Sequence, residues 1–183
     1  SVLDDIKSLS DLANRLLLMA RTASPDPSTL NNKVRLDEIL WQVQEDMGKF
    51  KKDYHVNIKI DEEIGESEQM QVAGDESLLR TAIMNLADNA CKYSGNKEVN
   101  ISLFVEKGFV KLVISDKGIG IPDDELNKIK EPFFRGSNAK SVPGHGIGLA
   151  LVNQIVLSHK GRMEINSRAG SGTDITLFFP VSA

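Results

Sequence analysis

Asn85-Leu86-Ala87-Asp88-Asn89-Ala90-Cys91-Lys92-Tyr93-Ser94 is the stretch whose reading decides the fold of this chain. On a helix, Asn85 and Asn89 sit one turn apart and Lys92 follows within the next turn, so two amides and an ammonium share one flank. Leu79, Ala82, Ile83, Leu86 and Ala90 recur with the helical period and mark the buried face, leaving the asparagines at its edge. A polar group at such an edge needs a partner. Amides beside an ammonium suit a metal ion and anionic oxygens; a surface Asn with no task is the plain alternative for either residue alone. Two glycine-rich segments follow, Asp116-Lys117-Gly118-Ile119-Gly120 and Gly144-His145-Gly146-Ile147-Gly148-Leu149.

Working outward, a chain of 183 residues can bury a sizeable core and suits one domain with an appendage. A net charge of -4 with 22 basic residues argues against a nucleic-acid binder, which needs a clustered basic face. The single cysteine, Cys91, excludes an internal disulfide and reads as a small packing residue, consistent with a reducing cytoplasm. No apolar run reaches the roughly 18 to 20 residues that span a bilayer, and the N-terminus lacks a signal-peptide pattern, so no direct membrane contact by this stretch is expected.

Val2, Ile6, Leu9, Ala13, Leu16 and Ala20 recur at heptad spacing, the pattern of a helix that packs on partner helices, and suggest self-association. Pro25 and Pro27 then stop the helix. The expected organisation is a helix over 1–24, a linker over 25–33 and a domain over 34–183. Within that domain the pattern predicts a helix from Asp37 to about Lys52 with Ile39, Leu40, Val43 and Met47 inward. A strand is expected over Val56 to Ile60 and a short one over Met70 to Ala73. Asp75 is the expected N-cap of the helix carrying Leu79 to Lys92. Val99 to Val105 and Val110 to Ser115 read as a hairpin through Lys107-Gly108. Ile147 to His159 reads as a helix closed by Gly161, and Met163 to Ser167 with Asp174 to Phe179 as a final hairpin. The fold class is α/β: about three helices on one face of a mixed sheet, a two-layer sandwich preceded by an N-terminal helix.

In order and spacing these segments resemble the N box, first Gly box, F box and second Gly box of the sensor histidine kinase catalytic domain. That domain shares a superfamily with DNA gyrase B, MutL and the heat-shock chaperone ATPases. The resemblance covers roughly residues 34 to 181 and implies the Bergerat fold, with ATP and Mg2+ as ligands. It implies that Asn89 ligates the metal, with Asn85 beside it, and that Lys92 pairs with phosphate oxygens. It further implies that Asp116 selects adenine, that Thr173 contacts adenine through water, and that Gly144, Gly146, Gly148 and Leu149 cradle phosphate where a helix begins. Residues 1–24 resemble the end of the second dimerisation helix.

The residues themselves bear on these roles. A carboxylate accepts but cannot donate, so Asp116 suits an exocyclic amine and rejects a carbonyl. Gly118 and Gly120 let backbone turn and approach closely. Tyr93 can lie against a purine or serve as core. Glu131 to Pro143 forms a long polar loop resembling the F box and a lid, with Phe133 and Phe134 expected to anchor its base in the core. Arg135 and Lys140 suit phosphate, a partner or solvent. Where the family commonly has a small residue, this chain has His145, which fits either an extra phosphate contact or a solvent-facing lid position.

None of His55, His145 or His159 matches a phosphoacceptor histidine followed by an acid on a helix. The reading is therefore an ATP-binding kinase domain, with Asn85, Lys92 and Arg135 as catalytic residues, that presents the γ-phosphate to a histidine elsewhere. Its implied partners are its own dimerisation domain, a homodimeric mate and a response-regulator receiver. Its implied place is the cytoplasm, with any inner-membrane anchor in other segments. A competing reading is a nucleotide-gated interaction module without transferase activity. A gyrase-type ATPase is disfavoured, because such enzymes place a glutamate base at the position of Asn85 and an amide cannot take up a proton.

Overall fold

Alternation of apolar and polar residues sets the sheet. In the computed structural model, which describes residues 1–61 and 70–182, β4 (Glu98–Glu106) and β5 (Phe109–Asp116) form a hairpin. Lys107 and Gly108 turn it at positive φ, the geometry that matches strand twist. The register sets Ile101 against Ile114 and Leu103 against Leu112 on the buried face. Then β7 (Thr173–Pro180) pairs with β5, placing Leu177 beside Leu112 and Ile175 beside Ile114, and β6 (Arg162–Ser167) closes that side. On the other side β2 (His55–Ile60) runs parallel to β4, giving the mixed order β2-β4-β5-β7-β6. The outer sheet face carries cations over rings instead of helices: Lys111 and Arg162 both lie over Phe178.

Three helices cover the inner face: α2 (Leu36–Phe50), α3 (Glu76–Tyr93) and α4 (Gly148–Ser158). Ile39, Leu40, Val43 and Met47 of α2 are buried as the pattern requires. The Asp75 carboxylate accepts from the Leu78 amide and caps α3. Two short strands that alternation could not reveal in full, β1 (Lys33–Arg35) and β3 (Gln71–Ala73), pair antiparallel beside α2 and α3.

The first helix, α1 (Val2–Ala23), docks on α4: Gln154 Nε2 donates to the Met19 carbonyl at 3.0 Å, and Thr22 is buried. The face that docks is not the heptad stripe. Ser8, Leu12, Arg15, Met19 and Thr22 turn toward the domain, while Val2, Ile6 and Leu9 remain exposed. A second stripe, one position removed, does the local packing.

The end of α4 also departs from expectation. Lys160, not Gly161, takes the left-handed conformation at φ 56. The amide of Lys160 bonds the Leu157 carbonyl and that of Gly161 the Val156 carbonyl, the paired bonds of a Schellman close. Gly161 is needed for a different reason: a Cβ there would stand 2.6 Å from the Phe178 carbonyl oxygen.

His159 bolts the helices together. Its Nδ1 donates to the Ile155 carbonyl at 2.7 Å, so Nε2 is free to accept from the Asp75 amide at 3.0 Å. A Cβ on Gly74 would collide with the imidazole, so that position must stay small. Burial holds the imidazole pKa below 6.5, with the Ile155 carbonyl and Asp75 opposing it only in part. A histidine that titrates lower when folded stabilises above pH 6.5, and that contribution is lost as pH falls below it. His159→Ala should lower stability by about 2 to 4 kcal/mol, since it opens a cavity and orphans the Asp75 amide. Denaturant melts from pH 7.5 to 5.5 (about that span) should show the wild-type stability falling and the variant's falling less.

Candidate functional site

A cavity of about 320 Å³ opens between α3, the end of β5, the loop that follows it, the start of α4 and α1. Its floor is the polar flank of α3. A Cβ placed on Gly148, the first residue of α4, would lie 3.5 Å from Asn89 Nδ2, 3.6 Å from Asn85 Oδ1 and 3.5 Å from Arg15 Nη1. Two amides, a guanidinium and the unpaired amides of a helix start thus meet at one point. Asn85 is held on both sides, donating to the Thr81 carbonyl and accepting from Arg15. Asn89 has no hydrogen-bond partner for its amide among the described residues, so it is the group free to meet a ligand.

Toward the C-terminal end of α3, Lys92 Nζ lies 5.2 Å from the Tyr93 ring centroid. A Cβ on Gly144 would approach the same nitrogen to 2.9 Å, so the second Gly box closes over Lys92. Burial lowers the Lys92 pKa, and the Arg135 and Arg15 charges add to that while Asp88 opposes it.

The opposite wall is built by register. Asp116 ends β5 and pairs with Thr173 at the start of β7. Its Oδ1 accepts from the Gly118 amide at 2.7 Å, and burial raises its pKa above 3.8 in spite of the backbone donors. Thr173 Oγ1 bonds Ser167 Oγ at 2.8 Å, and that oxygen also takes the Ile121 amide and reaches the Gly172 carbonyl. Side chains at Gly118 and Gly120 would overlap the Tyr93 and Arg168 carbonyl oxygens respectively, and Gly120 stands at φ 64. These close approaches are to backbone: the Ile119 amide bonds the Tyr93 carbonyl at 3.2 Å, stapling the first Gly box to α3.

The loop over the cavity is held by its own bonds. Arg135 donates to the Ala139 carbonyl at 2.8 Å and to that of Val142, while Asn138 Nδ2 reaches the Gly120 carbonyl at 3.0 Å. Ala139 is buried within a single 3-10 turn at Ser137–Ala139. Phe134 lines the cavity, but Phe133 does not anchor the loop in the core: it is 61% exposed with φ 67. The hydrogen bond from its amide to the Gly146 carbonyl fixes the backbone and turns the ring outward. Lys140 is exposed, and so is His145, as a solvent-facing lid position requires, while its Nε2 bonds Ser8 Oγ of α1 at 2.9 Å.

The cavity therefore gathers Asn89, Lys92, Tyr93, Arg135, Asp116, Gly120, Gly144, Gly146, Gly148, Leu149 and Thr173. Asn85, expected among them, does not line it and reaches it only through its bond to Arg15, which does. Gly118 supports it from behind, against the Tyr93 carbonyl. Sequence reasoning did not place Asp88, Arg15 or Ser8 here. Asp88 sat in the quoted stretch and its polarity beside Asn89 was a usable signal; the α1 residues had none. Among the described residues no cluster of His, Cys, Asp and Glu side chains could hold a metal by itself. The unpartnered Asn89 oxygen fits Mg2+ that arrives with phosphate oxygens as its main ligands.

Residues 74–183 match the family of histidine kinase-, DNA gyrase B- and HSP90-like ATPases. This chain belongs to that family. It is similar to the histidine-protein kinase/phosphatase MprB of Mycobacterium leprae, 32% identical over 98% of this chain and 34% of the relative. It is also similar to the phosphate regulon sensor PhoR of Pseudomonas aeruginosa, 31% identical over 93% of this chain and 38% of the relative. The chain thus spans about a third of the length of the curated relatives it matches. The solved structure of a mycobacterial sensor kinase MprB superposes with a TM-score of 0.68 at 32% identity, over 82% of this chain and 97% of that one. By family and fold, this is an ATP-binding catalytic domain of the histidine-kinase type. Among the described residues no helix is long and apolar enough to cross a membrane.

Asp116 accepts an exocyclic amine most strongly while ionised, and burial has moved that ionisation above pH 3.8. Adenine-nucleotide affinity should therefore begin to fall at a higher pH than for a solvated carboxylate. Asp116→Asn should bind ATP about tenfold more weakly, lose that pH dependence and discriminate less against GTP. Fluorescence titrations of both nucleotides from about pH 7 to pH 4 check it; wild-type behaviour in the variant would reduce Asp116 to a turn residue.

Proposed function

We propose that this domain binds Mg-ATP and presents its γ-phosphate to a histidine outside these residues, from which the phosphoryl group passes to a response-regulator aspartate. The observation that carries the reading is the polarity of this cavity. A half-buried carboxylate suited to adenine stands at one end, and the Asn85, Asn89 and α4-start cluster stands at the other. In this arrangement Asp116 and Thr173 orient the base, and Tyr93 packs beside it. Lys92 meets phosphate oxygens, and the backbone from Gly144 through Gly148 to Leu149 cradles the chain of phosphates. Asn89 would hold Mg2+, which when bound neutralises phosphate oxygens and polarises the terminal phosphorus. Asn85 cannot take a proton from water, which favours transfer to a positioned imidazole over hydrolysis. Arg135, now bonded to carbonyls of its own loop, becomes a γ-phosphate contact by exchanging those acceptors.

The full protein pairs through helices such as α1, whose exposed Val2, Ile6 and Leu9 support docking on partner helices. The receiver domain and the acceptor histidine belong to the same scheme. The decisive experiment supplies labelled ATP to this chain with a separate fragment bearing the dimerisation helices and acceptor histidine. Acid-labile label on that fragment is the expected result. Absence of label at saturating ATP would make the chain a nucleotide-gated interaction module instead.

Asn89→Ala should lose Mg-dependent nucleotide binding by at least about tenfold while its melting temperature stays near that of the wild type, because little apolar area is removed. Calorimetric titration with and without Mg2+ reads the effect directly. Equal affinities in wild type and variant would take Asn89 out of the metal site.

A further inference from the structure

The first helix does more than cap the domain. Three of its residues, Ser8, Asp11 and Arg15, line the nucleotide cavity. The helix is fixed there by the Gln154 bond to the Met19 carbonyl, by burial of Thr22 and by packing of Leu18 and Met19 on the core. Arg15 Nη1 reaches Asn85 Oδ1 at 2.5 Å and stands 3.5 Å from the site of a Cβ on Gly148. Ser8, two turns earlier, holds His145 of the second Gly box.

The order of groups along α3 gives the direction of the ligand. Tyr93 touches the first Gly box and the Asp116 end; Lys92, Asn89 and Asn85 then follow back along the helix, the last lying about 12 Å from Tyr93 at 1.5 Å per residue. Arg15 lies at the Asn85 end, farthest from the base. Lys92 and Arg135 are the other cations in the cavity. The positive charge is enough that Arg15 and Arg135 both depress the Lys92 pKa, behind the larger effect of burial. The carboxylates of Asp11 and Asp88 share the cavity, but it is the guanidinium that reaches the N-box amide.

We propose that Arg15 is a nucleotide-binding residue, a guanidinium delivered by α1 to the far end of the cavity, where it contacts the terminal phosphate of a nucleoside triphosphate. This rests on the ATP reading of the cavity and extends it to a residue of the appended helix. The planar fork of arginine suits two phosphate oxygens, and the exchange of Asn85 Oδ1 for an anionic oxygen strengthens its bond. Because the residue sits on α1, triphosphate binding and docking of α1 are linked reciprocally: each favours the other.

The test compares affinities for an unhydrolysable ATP analogue and for ADP, both with Mg2+, in the wild type, Arg15→Gln, Arg15→Lys and the exposed control Arg21→Gln. Arg15→Gln should lose about tenfold for the triphosphate and less than about twofold for ADP, as befits a lost charge-assisted bond to the terminal phosphate. Arg15→Lys should recover most of the triphosphate affinity, and Arg21→Gln should match the wild type. Unchanged affinity in Arg15→Gln, or an equal loss for both nucleotides, overturns the assignment. Tighter binding of both nucleotides by Arg15→Gln also overturns it, making Arg15 a plug that nucleotide must displace. If the wild type binds neither nucleotide, the ATP reading itself fails, a result distinct from all of these.

Discussion

Everything at the site depends on how α3 and α4 lie against each other. They run antiparallel across the inner face of the sheet and are pinned at both ends. At one end His159, the C-cap of α4, accepts from the Asp75 amide at the start of α3. At the other, Gly148 opens α4 where Asn85 and Asn89 face it from α3. The first contact sets the helices' relative height, and the second uses that height. A shift of one helical turn, about 5.4 Å, would carry the asparagines past the α4 start and dissolve the anion end of the cavity. Gly74 is small for that reason, since a Cβ there would stand 2.3 Å from the His159 ring where the two helix ends meet.

The two ends of the cavity are charged in opposite senses, and burial works against both charges. It raises the pKa of Asp116 and lowers that of Lys92. Each group is therefore held in its ionised form at some expense of free energy that a matching ligand relieves. An amine donated to Asp116 and an anionic oxygen offered to Lys92 are the two matches, and adenine nucleotides carry both. Asn89 adds an amide with no partner among the described residues. Together these groups carry the proposed preference of the cavity for adenine nucleotides.

The loop between the Gly boxes links those ends. Asn138 ties it to the Gly120 carbonyl beside the base, and Arg135 folds into it through the Ala139 and Val142 carbonyls. Its order in this state comes from backbone acceptors and the buried Ala139, not from an aromatic anchor at its base. Those acceptors are weaker partners for a guanidinium than phosphate is. A loop built in this way can exchange one set of bonds for another without losing its fold.

What the sequence determined by itself is local. The period of the α3 pattern, the Asp75 cap and the two hairpins were legible, because each depends on residues a few positions apart. So were the N-box amides and the glycine segments, since a resemblance in order and spacing survives without coordinates. Gly161 as helix stop missed by one residue, because the tight approach of β7 claimed the glycine and left Lys160 to turn the chain. Phe133 was expected inside and lies outside, because its backbone bond to Gly146 outweighed its apolar ring. Only the tertiary structure could decide that the docking face of α1 is Ser8, Arg15 and Thr22 instead of its heptad stripe. The same holds for the bond of Arg15 to Asn85, 70 residues away, and for the turn of His159 toward Asp75. Those choices follow from which surfaces remain uncovered once the sheet and three helices have packed, and no pattern confined to one segment carries that information.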